Sequence, residues 1–116
     1  MDERLEKALD FSNYMLTLNN QKRLLAEKYQ EDLIHFYKGS QFTITRELIT
    51  FVSTMVSADQ DEVVITDDNS IPCMIEDLTE FYDEILNKYS IASNNYYTEY
   101  ANLKKSRSVE KLVDYE

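Results

Sequence analysis

The chain has 116 residues, enough for one domain with a modest core, and its apolar fraction of 43% is too high for a disordered tail. One glycine and one proline argue against turn-rich β-sandwiches and glycine-rich phosphate-binding folds. The net charge is −10, and residues 39–75 and 76–103 each carry −5, so direct nucleic-acid binding is disfavoured because such segments repel phosphate.

The first predicted element is a long helix over residues 1–38. Ala8, Met15, Lys22, Tyr29 and Phe36 recur every seven residues, interleaved with Phe11, Leu18, Leu25 and Asp32. Steps of three and four residues put an apolar seam on one side of a helix, here with Lys22 and Asp32 as polar breaks. Gly39 stands where a helix C-terminus wants a left-handed residue, and Asn19 and Asn20 are weak helix formers that can mark a bend. Such a helix would be roughly 50 Å long, more than a compact domain of this size can cover. It must fold back, bend, or find a partner.

A second helix is expected over residues 44–57, capped by Thr43 or Thr45, with Glu47 in its first turn. Its apolar residues (Ile44, Leu48, Ile49, Phe51, Val52, Met55, Val56) cover more than half its circumference, which predicts a place at the centre of the core. Residues 62–75 then read as a β-hairpin. Val63, Val64, Ile65 and Thr66 favour a strand, Asp67 to Ser70 form a turn, and Ile71 to Ile75 return as a short edge strand containing Pro72.

A second long helix is predicted over residues 76–105. Tyr82, Tyr89 and Tyr96 continue a series begun by Ile75 and ended by Leu103, interleaved with Leu78, Ile85, Ala92 and Glu99. Acidic residues open it and Lys104 and Lys105 close it, matching the helix dipole. Residues 106–116 form a tail, with Ser108 as a cap and Val109, Leu112 and Val113 on one apolar side. The fold class is therefore mainly α with a small β-hairpin, in the order α-α-β-β-α, as a single domain over 1–116 with long antiparallel helices and coiled-coil-like packing.

The candidate sites are few. Asp59, Asp61, Glu62 and Asp67-Asp68-Asn69 lack the alternating register and central glycine of a calcium loop, so a solvated loop is favoured. His35 is the only histidine and has no second ligand in sequence; it reads as a partly exposed helical residue. Cys73 is the only cysteine, which excludes an intramolecular disulfide and fits a reducing compartment. Met1-Asp2-Glu3 does not open a signal peptide, and the longest apolar stretch, Leu48 to Val56, falls far short of the ~20 residues of a membrane span. A cytoplasmic location is expected, with no cofactor, no metal and no membrane partner.

The carboxylate pairs Glu3/Glu6 and Glu80/Asp83 have the helical spacing that sets two oxygens toward one ion. Their order is similar to that in the all-helical nucleotide pyrophosphohydrolases of the MazG type, and that resemblance implies a metal-dependent hydrolase. In this chain residues 7–79 separate the pairs where that family has a short connection, and basic residues to hold a triphosphate are missing. The balance falls against an enzyme.

The run Tyr96-Tyr97-Thr98-Glu99-Tyr100, continued by Lys104-Lys105-Ser106-Arg107-Ser108-Val109-Glu110-Lys111-Leu112, resembles the ends of small uncharacterised proteins of tailed phages that infect marine cyanobacteria. The resemblance covers the last third and carries no catalytic motif. It implies a viral accessory or assembly protein in the host cytoplasm.

The leading expectation is a non-enzymatic interaction protein that self-associates, as a homodimer or higher. Its interface candidates are Phe11, Met15, Leu18, Leu25, Tyr29, Phe36, Tyr82, Tyr89 and Tyr96, because tyrosine gives large contact area while its hydroxyl reaches water or a partner. A host or viral protein with a basic patch is a further partner. The alternatives are the hydrolase and an acidic mimic of nucleic acid.

Overall fold

The computed structural model describes the backbone of residues 2–115 and the side chains of residues 2–105. Its elements follow the order α-β-β-α-β-β-α: α1 (Glu3–Asp32), β1 (Ile34–Tyr37), β2 (Ser40–Thr43), α2 (Arg46–Ser57), β3 (Val63–Thr66), β4 (Pro72–Ile75) and α3 (Leu78–Tyr115). The chain is mainly helical with small antiparallel β structure, as its patterning predicts.

The first boundary differs from the sequence reading. α1 stops at Asp32, not at Lys38, and residues 34–43 form a second hairpin that was not expected. In that hairpin Ile34 pairs with Thr43, His35 with Phe42, Phe36 with Gln41 and Tyr37 with Ser40. The physical reason is a change of period. After Leu33 the chain alternates, so His35 and Phe42 turn inward and Phe36 turns to solvent, 65% exposed. Gly39 is a hairpin residue and not a helix cap. Lys38 (φ 47°) and Gly39 (φ 84°) both take left-handed conformations, as a two-residue turn of the I′ type requires. α1 also continues through Asn19 and Asn20.

The remaining elements start as the local chemistry dictates. The Asp2 carboxylate accepts from Arg4 N at 3.2 Å ahead of α1. Thr45 caps α2, its hydroxyl accepting from Leu48 N at 3.0 Å. Asp77 caps α3, accepting from Glu80 N at 3.1 Å. At the end of α2, Asp59 takes φ 59°, the left-handed position that more often belongs to glycine. In the second hairpin Val63 pairs with Ile75 and Thr66 with Pro72. Asp67 N donates to Ile71 O at 2.8 Å, so the strands' hydrogen-bonding alternation turns Pro72 outward, where a missing N–H breaks no ladder bond. α3 runs beyond Lys105, where the sequence reading stops it, because nothing after Pro72 is a strong helix breaker. Ser108, Val109, Leu112 and Val113 lie outside the described side chains.

The chain divides into two compact units, one of residues 29–94 and the other of residues 1–28 with 95–116. The first holds both hairpins, α2 and the start of α3. Its core is Leu33, Phe42, Ile44, Val52, Ile75, Leu78, Phe81, Ile85 and Ala92. Phe81 sits at the centre, with ring centroids of His35, Tyr37 and Phe42 at 5.5, 5.7 and 5.6 Å in edge-to-face contact. α2 supplies only Val52 as a fully buried residue, so the core centres on α3 and not on α2. Leu48, Ile49, Met55 and Val56 pack on it half-buried, while Phe51 is 40% exposed.

In the second unit, Lys28 Nζ donates to Glu99 Oε1 at 2.7 Å and Lys22 Nζ lies 5.7 Å from the Tyr100 ring centroid. Tyr96 meets Tyr100 edge-on at 6.1 Å. Among the described residues, α1 has no buried side chain over its 30 residues.

Candidate functional site

The nine interface candidates are divided between the two units. Tyr29, Tyr82 and Tyr89 pack half-buried on the core of residues 29–94. Tyr29 Oη and Ser93 Oγ are 3.0 Å apart, so this hydroxyl has a partner within its own unit. Phe36 points outward from β1. Phe11, Met15, Leu18, Leu25 and Tyr96 belong to the other unit, where Phe11 and Met15 are exposed and the other three are half-buried.

The tyrosine stripe is thus not the deeply buried line. Leu78, Ile85 and Ala92 occupy that line, 0%, 0% and 3% exposed, together with Phe81. Steps of three and four from Leu78 to Ile85 can pass through either position 81 or position 82. Phe81 takes the interior because a tyrosine hydroxyl there would need a buried partner. Tyr97 is 77% exposed, but Tyr100, which sequence spacing places off the seam, is packed against Tyr96 and the two lysines Lys22 and Lys104.

His35 is not a helical surface residue. It lies on β1, 8% exposed, with its ring against Phe81 of α3. Its Nε2 is 3.3 Å from Glu84 Oε2, a close contact whose alignment falls short of a hydrogen bond, so both ring nitrogens are buried without a well-formed partner. One turn along α3, Lys88 Nζ donates to Ile34 O at 3.2 Å and brings a positive charge beside the ring. Burial first, and the Lys88 ammonium second, hold the imidazole below its ordinary pKa of 6.5, against the opposing pull of Glu84. The site favours a neutral histidine.

The acidic turn after β3 has a structural task. Asp67 is buried, and its Oδ1 accepts from Asn69 N and Ile71 N, both at 2.9 Å. Asp68 reaches the first hairpin, accepting from Thr43 N at 3.0 Å, Thr43 Oγ1 at 2.7 Å and Gln41 Nε2 at 3.1 Å. Partial burial opposes its charge, but these donors together outweigh that and hold the carboxyl below its ordinary value. At the tip of the same hairpin, Lys38 Nζ donates to Glu76 Oε2 at 2.8 Å and Tyr37 Oη accepts from Glu76 N at 3.1 Å. The hairpin is thereby tied to both the β3–β4 turn and the start of α3.

Of the carboxylate pairs, Glu3/Glu6 belongs to the unit of residues 1–28 with 95–116 and Glu80/Asp83 to the unit of residues 29–94. Glu3 lies 3.8 Å from Lys7 Nζ, and among the described residues no three His, Cys, Asp or Glu side chains are grouped to hold an ion. Cys73 is half-buried on the inner face of β4, its Sγ 4.0 Å from Met74 O. No described helix is long and apolar enough to cross a membrane.

One apolar feature escaped the sequence reading. Leu5, Leu9 and Leu16 are 50%, 46% and 61% exposed on α1. Leu9 and Leu16 precede the expected seam positions 11 and 18 by two residues, roughly 200° around the helix. The signal that finds them is a second spacing of four and seven on a helix already assigned one seam. No family model, no curated protein and no solved structure matches the chain.

Proposed function

We propose that the chain is a non-enzymatic interaction protein, an assembly or accessory component that self-associates through its long amphipathic helices. One observation carries this reading. Residues 29–94 own a complete core, whereas α1 spans 30 residues without one buried side chain among those described. Leu5, Leu9 and Leu16 are 46–61% exposed on one face of it. Most helical stability in proteins comes from packing an apolar face, and clustered exposed apolar side chains mark association surfaces. The −5 carried by each of residues 39–75 and 76–103 suits an additional partner with a basic patch. The viral setting rests on the C-terminal run alone.

Light scattering coupled to size exclusion, across micromolar to near-millimolar protein, tests the reading. The expected result is a mass at least twice the 13.7 kDa of one chain. A monomer throughout the range rejects self-association.

A further inference from the structure

Resting on that self-association, we infer a specific mode: two copies pair antiparallel through the Leu5, Leu9 and Leu16 stripe of α1. These leucines share one face, since steps of four and seven residues return to the same side of a helix. The face lies opposite the seam that carries Leu18 and Leu25, so both can be occupied at once. Its leucines are each nearly half exposed or more, and none belongs to the core of residues 29–94.

Charge along this face decides the direction. Asp2 and Glu6 stand at its start, Arg23 near its later part, and Glu27 and Glu31 beyond. The stretch between Asp10 and Lys22 carries no charged side chain. Parallel pairing in register would set Asp2, Glu6, Glu27 and Glu31 each against its own copy. Antiparallel pairing about a two-fold axis between Ser12 and Asn13 sets Leu9 against the second copy's Leu16 and Asp2 against its Arg23. Like charges separate and opposite charges meet, and the two helix dipoles oppose each other favourably. The contact is isologous, so it closes at two copies. Arg23 is only loosely held by Glu27 at 3.9 Å, with both side chains more than half exposed, and is free to turn across the axis.

Single cysteines in a Cys73→Ser background test the geometry with a short bismaleimide. Ser12→Cys lies at the axis and should cross-link efficiently. Asn20→Cys lies on the same face, but its copies would be roughly 20 Å apart and should not cross-link. Leu9→Glu combined with Leu16→Glu should yield monomers with the helical circular-dichroism signal retained. Cross-linking at both positions would mean parallel pairing and overturn the inference. A dimer that cross-links at neither position, or survives the double substitution, uses another surface; the inference falls while self-association stands. A monomeric parent chain overturns both.

Discussion

Two phenylalanines in the unit of residues 29–94 separate the structure from the helix that sequence spacing predicts. Phe81 is 1% exposed and meets three aromatic rings, whereas Phe36 is 65% exposed on the outer face of β1. Replacing Phe81 with alanine removes a buried ring and leaves a cavity in a close-packed core. That costs about 3–5 kcal/mol, with the edge-to-face contacts favouring the upper end. Phe36→Ala should change stability by about 0.5 kcal/mol or less. Urea unfolding followed by circular dichroism measures both, and equal slopes for the variants confirm that stability and not the denatured state has changed. If Phe81→Ala leaves no folded baseline, Phe81→Leu should still cost about 1–2 kcal/mol. A costly Phe36→Ala beside a neutral Phe81→Ala would refute the hairpin and restore a continuous helix through residue 36.

Stability should fall as pH drops below about 6.5, because the unfolded chain binds a proton at His35 that the folded site resists; His35→Leu should flatten this part of the profile in thermal melts. Asp68 acts at lower pH, since its depressed folded value contributes stability above the ordinary 3.8 that is lost as pH falls through and below it, and Asp68→Asn should remove that increment. At neutral pH Asp68→Ala should cost about 1–2 kcal/mol, reduced from a fully buried charged acceptor by its solvent contact, as read from denaturant midpoints. Gly39→Ala should cost about 1 kcal/mol although nothing lies within 4 Å of the added methyl, because φ is +84°; a neutral result would mean the turn relaxes to another type.

Legibility followed the strength of the local signal. Thr45 stands at the N-cap of α2 because a threonine hydroxyl before an apolar run satisfies an otherwise orphaned N–H. Four β-branched residues and an Asp-Asp-Asn-Ser turn placed the β3–β4 hairpin within a residue of its bounds. The first hairpin is masked because Phe36 falls seven residues after Tyr29, which extends the helical period past Leu33. The competing signal was present: Tyr37-Lys38-Gly39-Ser40 between two alternating strands is a two-residue hairpin loop. The burial of His35 was illegible, since it depends on Phe81, Glu84 and Lys88, all more than 40 residues away in sequence. The stripe of Leu5, Leu9 and Leu16 was obscured by the denser seam on the opposite face.

The reach of Asp68 across to β2 has a consequence for solubility. In a two-stranded hairpin each strand has an outer edge whose backbone groups can recruit a strand from a neighbouring chain. On β2 two of those groups are engaged: Gln41 O accepts from Asp68 N at 2.9 Å, and Thr43 N donates to the Asp68 carboxylate at 3.0 Å. A charged turn thus occupies the position an intruding strand would take. Losing this carboxylate would leave a folded molecule with an open template, prone to fibre-like growth under conditions in which the parent chain stays dispersed.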